Sequence, residues 1–379
     1  MDIEFTQDQR RFRLAVRELL TSEEVRAEVA RARSVPDTGE PGLLAAYRLL
    51  GARGWLAPNW PPGYGGIGAS IVEKAIVTEE MIAAGVPDVT HTLSVDIVGL
   101  AIEQFGSPEL KARWLPGLAA GEAIGCVLFS EPGTGSDLAS LSTRAQRDGA
   151  GWRLRGHKLY SLKAHLGDFA LCVARTGDSD VRYQDLTVFV LPLDAGGVVV
   201  DPLWAMTDEH FGDVTLDGPL VTEADVLGEV GDGWRIAGEI LRLERTGIEL
   251  ESKACRAVDA AIAAAPADTG YADRLVALDA QARAGRLLSW RAVGTIADDE
   301  RDEPLYAMAK WYTSEIAAEA VRLAADLAGP EGALTARDPA ATPGVLVEHS
   351  YRDGPGFTIA SGTSEMMLSI VAADLGLPT

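Results

Sequence analysis

The spacing of apolar residues changes twice along the chain, and this limits the possible fold more than any other feature. Up to about residue 123 apolar residues recur every three or four positions, as in amphipathic helices. From Ile124 to about residue 228 they occur in short β-rich runs separated by turn residues, and from about residue 229 the helical spacing returns. The sequence therefore predicts a helical domain at residues 1–123, a β domain at 124–228 and a helical bundle at 229–379.

The same spacing predicts the individual elements. Helices are expected at residues 6–34, 42–53, 71–84, 95–105 and 108–120, and again at 236–264, 272–297, 304–327 and 364–376. Strands are expected at 124–129, 142–147, 152–155, 169–174, 186–191, 198–202 and 212–220. Residues 329–332 and 352–356 are predicted to interrupt the late helices. Long helices joined by short loops indicate a bundle.

Composition and charge exclude several classes of function. The 379 residues include 34 Lys and Arg against 56 Asp and Glu, a formal charge of −22. A field of that sign repels nucleic acid and anionic membranes, so an anionic ligand needs a local basic pocket. No apolar stretch reaches the roughly eighteen residues of a membrane span, and the acidic N-terminus differs from a secretory signal. The 3 cysteines are far apart and the 5 histidines lack metal-ligand spacing. We expect a soluble cytoplasmic protein without a disulfide framework or a metal.

Two short motifs carry the clearest chemical signal. Residues 130–137 read Ser-Glu-Pro-Gly-Thr-Gly-Ser-Asp, and much later Gly362, Thr363, Ser364 and Glu365 open the last predicted helix. In the first motif, proline and two glycines leave backbone N–H groups available beside three hydroxyl side chains, which suits the polar edge of a ring or a pyrophosphate. The alternative for this motif alone is an ordinary Pro-Gly turn between strands.

In this order the two motifs resemble the acyl-CoA dehydrogenase family, as does the helical, β and helical layout, and the resemblance extends from about Glu4 to Leu375. It implies an N-terminal helical domain, a middle β-barrel-like domain and a C-terminal four-helix bundle. It also implies FAD as cofactor, an acyl-CoA substrate and electron-transfer flavoprotein as a partner. By the same resemblance, the cofactor-binding candidates in the two motifs are Ser130, Gly135, Ser136, Thr363 and Glu365.

Residues 156–165 resemble the family's next flavin-binding segment, in which an aromatic residue is followed by a hydroxyl residue that contacts the isoalloxazine ring. Tyr160 stands where the family usually has tryptophan, and either Ser161 or Leu162 falls at the hydroxyl position. The resemblance therefore adds Tyr160 and Ser161 to the cofactor-binding candidates. The alternative is a crossing from a strand to a loop.

The catalytic base is predicted on the first long helix of the bundle. Desaturating an acyl thioester requires a carboxylate to take the α-proton while the β-hydrogen leaves as hydride to the flavin. The family's commoner base position holds Ser361 here, and serine cannot act as that base unaided. Members acting on branched or bulky acyl groups carry a Leu-x-Leu-Glu-Arg pattern, which residues 241–245 match, so Glu244 is the candidate base. The alternative is a surface glutamate paired with Arg242 or Arg245.

Two further residues near the reacting atoms are implied by the resemblance. The backbone N–H at the position of Ser361, together with a ribityl hydroxyl of the cofactor, donates to the thioester carbonyl in the family. This role needs only the backbone, so a serine at this position is compatible with it. Arg245 is the candidate substrate-binding residue.

Two motifs that reach a neighbouring subunit's flavin in the family are missing. Residues 265–271 lack the arginine and phenylalanine of Arg-x-x-Phe-Gly, and residues 326–332 lack Gln-x-x-Gly-Gly-x-Gly. Asp326 and Glu331 instead stand where a diphosphate would approach, and like charges there are costly. We infer that the chain cannot complete its neighbour's flavin site. Some bacterial members that degrade steroid side chains are similar, with two unlike subunits in an α2β2 tetramer.

Three functions remain open from the sequence. The first is FAD-dependent α,β-desaturation of a bulky or branched acyl-CoA in lipid or steroid catabolism, as one subunit of a hetero-oligomer. The second is a non-catalytic partner subunit of such a dehydrogenase. The third is a flavin-dependent oxidase or desaturase of a carrier-bound acyl group in biosynthesis.

Overall fold

The structure, a computed structural model, describes residues 4–34, 44–207, 209–265, 270–335, 338, 340 and 347–378, without the side chains of residues 32–34, 243, 244, 263 and 264. These residues form two compact units. The described residues of the first unit come from the ranges Met1–Thr38, Ser70–Pro87 and Arg242–Thr379, and those of the second from Gly39–Ala69 and Asp88–Leu241. The limits of the three predicted domains remain predictions, because the two units are composed from different stretches of the chain.

The first part of the chain is helical, as predicted. Its helices are α1 (Gln7–Leu20), α2 (Glu23–Ser34), α3 (Ala45–Gly51), α4 (Ile71–Ala84), α5 (Val89–His91), α6 (Leu100–Phe105) and α7 (Pro108–Ala120), with a π-helical stretch, Thr92–Gly99, joining α5 to α6. Ser70 and Glu73 form a capping box that starts α4, and Gly85 in a left-handed conformation ends it. The single helix predicted at 6–34 is wrong, because Thr21 caps α1 and donates its hydroxyl to the Arg17 carbonyl at 2.8 Å.

The middle of the chain forms one sheet. Its strands are β1 (Gly125–Leu128), β2 (Arg144–Asp148), β3 (Gly151–Leu162), β4 (Phe169–Arg175), β5 (Leu186–Pro192), β6 (Val198–Trp204), β7 (His210–Thr222) and β8 (Val226–Leu227). The order is β6-β7-β3-β2-β4-β5-β8, with β1 parallel to β4. All predicted strands are present, and β8 is an addition that pairs antiparallel with β5. Strand β3 runs to Leu162, well beyond its predicted end at residue 155, because it pairs with β7 along most of its length.

The last part of the chain is helical again. Its helices are α8 (Gly233–Glu244), α9 (Ile248–Ala264), α10 (Ala272–Ala297), α11 (Glu303–Ala328), α12 (Val347–Phe357) and α13 (Ser364–Asp374). The single helix predicted at 236–264 is wrong, since Gly247 has a left-handed backbone (φ +78°) between α8 and α9. The break predicted at 352–356 is also wrong. An ion pair of Glu348 with Arg352 and the burial of Val347 and Phe357 accompany a continuous α12 despite Pro355.

Helices α9, α10, α11 and α12 share one hydrophobic core, to which Val258, Leu278, Val321 and Phe357 each contribute a buried side chain. A four-helix bundle is therefore present, although α12 rather than the predicted last helix supplies its fourth member. Together with the early helices and the sheet, this confirms the predicted order of a helical, a β and a helical part. Among the described residues, no helix is both long and apolar enough to cross a membrane.

A buried ionic network joins helices of the first compact unit. Glu79 on α4 accepts hydrogen bonds from Trp290 Nε1 on α10 at 2.7 Å and from Arg13 on α1 at 2.5 Å. Arg286 on α10 lies 3.0 Å from Glu79 and 3.5 Å from Glu251 on α9. Burial, followed by repulsion from Glu79, raises the pKa of Glu251 to about 7. These contacts bring together side chains that are far apart in the sequence.

Candidate functional site

The predicted flavin loop, residues 130–137, follows β1 and contains a tight turn. Glu131 and Thr134 exchange backbone hydrogen bonds of 2.9 and 3.0 Å around Pro132 and Gly133. Gly133 has φ +88°, as the third residue of a type II turn requires. Ser136 and Gly135 are exposed, and a side chain at Gly135 would meet nothing within 4 Å. The outer part of the loop therefore presents backbone and hydroxyl groups to a ligand.

A buried ion pair holds this loop in place. Glu131 accepts from the backbone N–H groups of Ser142 and Thr143 at 2.6 and 2.9 Å, and from Lys158 Nζ at 2.9 Å. Lys158 lies on β3, is fully buried, and also donates to the Phe129 carbonyl at 3.1 Å. Burial acts to raise the pKa of Glu131, but Lys158 and the hydrogen bonds outweigh it and lower the pKa to about 2. The carboxylate stays charged and anchors the loop to β3 at neutral pH.

Strand β3 brings the second predicted flavin segment beside the loop. The Leu159 N–H donates to the Ser130 carbonyl at 2.9 Å. Tyr160 has a left-handed backbone (φ +57°) at a register shift in the β3–β7 pairing, so it does not follow the regular alternation of the strand. Its side chain is 62% exposed, whereas Ser161 is 2% exposed. The segment is therefore a bulged strand, and the alternative of a crossing into a loop applies only beyond Leu162.

Ser161 carries a buried hydroxyl whose Oγ has no hydrogen-bond partner among the described residues. A buried hydroxyl without a partner is costly, and such a group in a native protein calls for a ligand or an ordered water. Thr134 Oγ1, in the loop, is also buried and has no hydrogen-bond partner among the described residues. The exposed backbone of the loop and these two hydroxyls fit a ligand whose ring edge bears donors and acceptors, such as a flavin.

The candidate base lies at the end of an element. Glu244 is the last residue of α8, and its side chain lies outside the described residues. Arg245 follows it, and Arg245 Nε donates to the Ser361 carbonyl at 3.1 Å. The alternative pairing of Glu244 with Arg242 or Arg245 therefore also lies outside the described residues. The predicted contact of Arg245 with substrate stays a prediction.

Ser361 lies in the loop before α13 and has a left-handed backbone (φ +58°), followed by Gly362 at φ +102°. Thr363 is the N-cap of α13 and accepts from the Met366 N–H at 3.3 Å. Glu365 is exposed in the first turn, where hydrogen bonds from its own N–H and from Thr363 lower its pKa. The predicted cofactor role of Thr363 and Glu365 stays a prediction, since both side chains serve the start of the helix here.

The site candidates fall into two groups according to compact unit. Ser130, Gly135, Ser136, Tyr160 and Ser161 lie in the second unit, and Glu244, Arg245, Ser361, Thr363 and Glu365 lie in the first. Within each group the candidates come from segments that the fold brings together: the loop with β3, and the end of α8 with the loop before α13. Among the described residues, no cluster of three or more side chains could hold a metal ion.

The structure describes part of the two regions in which the neighbour-binding motifs are missing. Residues 266–269 lie outside the described residues. Asp326, on α11, is 3.3 Å from Arg274 on α10, and Arg274 also contacts Glu319 at 2.5 Å. Glu331 is exposed in the 3₁₀ turn after α11. Arg274 therefore partly neutralises the charge of Asp326. The spacing of residues in the sequence did not indicate this contact.

Sequence reasoning missed the anchoring pair of Glu131 and Lys158. Both residues fall inside predicted flavin segments, but nothing in the sequence indicates that one neutralises the other. A lysine at a position that alternation places inside a strand is the signal that could have found it, because lysine is rarely buried without a partner.

Known proteins resemble the chain along nearly its whole length. Family models named acyl-CoA dehydrogenase N-terminal, middle and C-terminal domain match residues 6–122, 126–218 and 231–376. Acyl-CoA dehydrogenase FadE34 of Mycobacterium tuberculosis is 32% identical over 370 residues, 94% of this chain but 48% of FadE34, so the chain spans about half of that relative. FadE26 of the same organism is 28% identical, with 90% of both proteins covered. The solved structure of the Tcur3481-Tcur3483 steroid ACAD matches with a TM-score of 0.88 at 27% identity, covering 100% of each chain.

Proposed function

We propose, since the chain belongs to the acyl-CoA dehydrogenase family of FAD-dependent oxidoreductases, that it desaturates the α,β bond of an acyl-CoA with a bulky or branched acyl group. The observation that carries this proposal is the flavin loop anchored to β3 by Glu131 and Lys158, next to the buried Ser161 hydroxyl. An ordinary surface turn needs no buried ion pair beneath it, because burying two charges is costly. A loop that must hold a ligand benefits from being fixed.

Each group of candidates has a distinct task in this proposal. The bound flavin would supply the acceptor for the β-hydrogen as hydride. Ser161 and the loop hydroxyls hold the polar edge of the flavin ring. Glu244 removes the α-proton, and the Ser361 N–H donates to the thioester carbonyl, which makes the α-proton more acidic. Arg245 keeps the Ser361 peptide in position through its hydrogen bond to the carbonyl.

An unlike subunit is part of the proposal. Residues 265–271 contain neither the arginine nor the phenylalanine of the family's first neighbour-binding motif. Asp326 and Glu331 bring negative charge to the region of the second motif. Arg274 neutralises Asp326 only in part, because it also pairs with Glu319. The steroid ACAD that matches this chain carries a double name, Tcur3481-Tcur3483, which supports a complex of two different chains. We infer that an unlike subunit supplies cationic contacts to the flavin, in an α2β2 assembly.

A second candidate is a supporting subunit without catalysis of its own. It is favoured by Ser361, which occupies the family's commoner base position and cannot take a proton. Glu244 opposes this candidate, because a supporting subunit has no need of a carboxylate in the Leu-x-Leu-Glu-Arg pattern.

The proposed substrate is based on the same pattern and on the steroid ACAD match. We expect a polycyclic acyl-CoA to react faster than a straight-chain acyl-CoA of similar length.

The flavin absorbance spectrum and the solution mass test the proposal. The chain is expressed alone and then together with the product of the neighbouring gene, tested as the unlike subunit. We expect no flavin absorbance from the chain alone, and about one flavin per pair in an assembly of about four chains when both are present. Stoichiometric flavin on the chain alone would contradict the unlike subunit. A yellow complex that oxidises neither polycyclic nor straight-chain acyl-CoA would contradict the dehydrogenase itself.

A further inference from the structure

A buried lysine on α11 contacts the loop that carries Ser361. Lys310 is 2% exposed. Its Nζ donates to the Gly362 carbonyl at 2.7 Å and to the Phe357 carbonyl, at the end of α12, at 3.2 Å. One side chain therefore bridges the two ends of the segment between α12 and α13.

Two other side chains hold the same segment. Arg245 Nε donates to the Ser361 carbonyl at 3.1 Å, and Ser364 Oγ donates to Glu315 Oε1 on α11 at 2.6 Å. The carbonyls of Ser361 and Gly362 thus each accept from a cationic side chain. Of the three side chains that hold the segment from outside, Lys310, Glu315 and Arg245, helix α11 contributes the first two.

The backbone held by these contacts is not one that the chain prefers. Ser361 has φ +58° and Gly362 has φ +102°. A left-handed conformation is unfavourable for serine, and it persists only when the surroundings impose it. A methyl group at Gly362 would also lie 2.7 Å from Met367 Cε. The conformation of Ser361 therefore depends on the contacts on either side of it.

Burying an ammonium group is costly, and its hydrogen bonds must compensate for the lost water. An apolar side chain at position 310 would fill the same space without that cost. Lys310 donates to two backbone carbonyls of the segment between α12 and α13, one near each end of it. These two hydrogen bonds act on the geometry of the segment, which an apolar side chain packed in the bundle could not do.

We propose that Lys310 is a positioning residue for the thioester-binding peptide. Its bonds fix the peptide after Gly362 relative to the end of α12, and this fixes the left-handed Ser361 and the direction of its N–H. The use of that N–H as a donor to the thioester rests on the proposed function. The hydrogen bonds of Lys310 to the segment between α12 and α13 belong to this chain alone, and they can be tested without substrate.

The test compares Lys310→Met with a matched control, Arg322→Met, in the full chain assembled with FAD and its unlike subunit. Arg322 is a half-exposed cation on the same helix whose partner is Glu319. Hydrogen exchange of the amides at residues 359–364 is measured by mass spectrometry. We expect exchange to be about tenfold faster or more in Lys310→Met, with other helices unchanged, and no change in the control.

The kinetic measurement separates positioning from stability. Misplacing one backbone donor lowers kcat by about 10- to 100-fold, and KM should change by less than about threefold, since the loss occurs mainly in the transition state. A Lys310→Met variant with wild-type exchange at residues 359–364 and wild-type kcat would overturn the proposal, whatever its melting temperature. Where this variant does not fold, Lys310→Gln is used, whose shorter side chain cannot reach both carbonyls. Unchanged exchange in that variant would equally overturn it.

The exchange measurement is independent of the proposed function, whereas the kinetic measurement rests on it. If the wild-type complex shows no dehydrogenase activity, the proposed function fails, and the exchange measurement still decides whether Lys310 holds the loop. If the wild-type complex is active and Lys310→Met shows faster exchange at residues 359–364 with wild-type kcat, Lys310 holds the segment without serving the reaction. The positioning role is then rejected.

Discussion

At the scale of single residues, the proposed function depends most on Glu244, the candidate base. It ends α8 immediately before Arg245, whose guanidinium is hydrogen-bonded to the Ser361 carbonyl. The backbone therefore connects the candidate base directly to a residue that contacts the proposed thioester-binding peptide. This proximity along the chain makes a substitution at Glu244 the simplest test of the mechanism.

We predict that Glu244→Gln lowers turnover by at least about 10²-fold, because the amide keeps the shape but cannot accept the α-proton. Flavin content should stay at the wild-type level, as read from the absorbance spectrum. The control is Glu249→Gln in the first turn of α9, where Glu249 pairs with Lys253 at 2.5 Å. Turnover within about twofold of wild type for Glu244→Gln would remove this residue from the mechanism.

Glu251 gives a prediction about stability and pH. Burial and Glu79 raise its pKa in the folded protein to about 7, above the ordinary value of 4.5. Folding therefore favours the protonated form, and the folded state holds more protons than the unfolded state between these two values. The contribution of Glu251 to stability is greatest below pH 4.5 and is lost as the pH rises through about 7.

We expect the free energy of unfolding of the wild type to fall by roughly 1–3 kcal/mol between pH 5 and pH 7.5 relative to Glu251→Gln, in which this titration is absent. Melting temperatures of both proteins across that range provide the measurement. The net negative charge is nearly the same in both, so general repulsion cancels in the comparison. Parallel pH profiles for the two proteins would contradict the raised pKa.

Single residues also show where sequence reasoning stops. The resemblance identified Tyr160 and Ser161 together, but the structure exposes the first and buries the second. Regular alternation alone would place neighbours on opposite faces without saying which is inside. A bulge at Tyr160 decides which of the two side chains is buried. The bulge depends on the pairing of β3 with β7, which the local sequence pattern does not encode.

At the scale of elements, Gly247 separates two helices that apolar spacing joins into one. It has φ +78°, and a methyl group there would lie 2.7 Å from Ser289 Oγ and 3.1 Å from the Ala309 carbonyl. Both the backbone conformation and the close approach of α10 and α11 therefore require glycine. The continuous apolar spacing of residues 236–264 concealed this turn.

We predict that Gly247→Ala lowers the free energy of unfolding by about 1–3 kcal/mol, through backbone strain and the clash of the added methyl group with Ser289 Oγ. The matched control is Gly238→Ala within α8, where a side chain would meet nothing within 4 Å. Alanine is the better helix former, so this control should be about 0.5–1 kcal/mol more stable than wild type. Urea unfolding of both variants gives the comparison, and equal effects would contradict the role of Gly247.

Other elements were predictable to different extents. The limits of α4 and α7 match the apolar spacing because a serine caps the start of each helix and a glycine ends it. The limits of α10 also match, although no side chain caps its start. Helix α12 was predicted as a break, since Gly354, Pro355 and Gly356 are poor helix formers. Burial of Val347 and Phe357 against the bundle stabilises it nevertheless. Tertiary packing outweighs local propensity there.

At the scale of the whole molecule, the chain has three segments in sequence and two compact units in space. Helices α1 and α4 belong with the last helices in one unit, through the network of Glu79 with Arg13, Arg286 and Trp290. Apolar spacing predicted α4 as an ordinary amphipathic helix. It gave no sign that Glu79 and Glu80 are buried, because their partners lie in distant parts of the chain.

The proposed unlike subunit leads to a prediction for the whole molecule. FAD added to the isolated chain should leave its melting temperature unchanged within about 1 °C, because a ligand that binds weakly gives little stabilisation. FAD together with the unlike subunit should raise it by about 2–5 °C. Differential scanning fluorimetry with each component omitted in turn provides the controls. A clear rise with FAD alone would contradict the incomplete site.

The sequence by itself determined the order of helical and β segments, the family, and the segments that carry the candidate site. These follow from local periodicity and from motifs, which neighbouring residues encode together. Only the tertiary structure decided which charges are buried against each other, as in the pairs of Glu131 with Lys158 and Glu79 with Arg13. It also decided that Lys310 and Arg245 hold the Ser361 loop. Such partners come from distant parts of the chain, and the cost of burying a charge selects them only once the chain is folded.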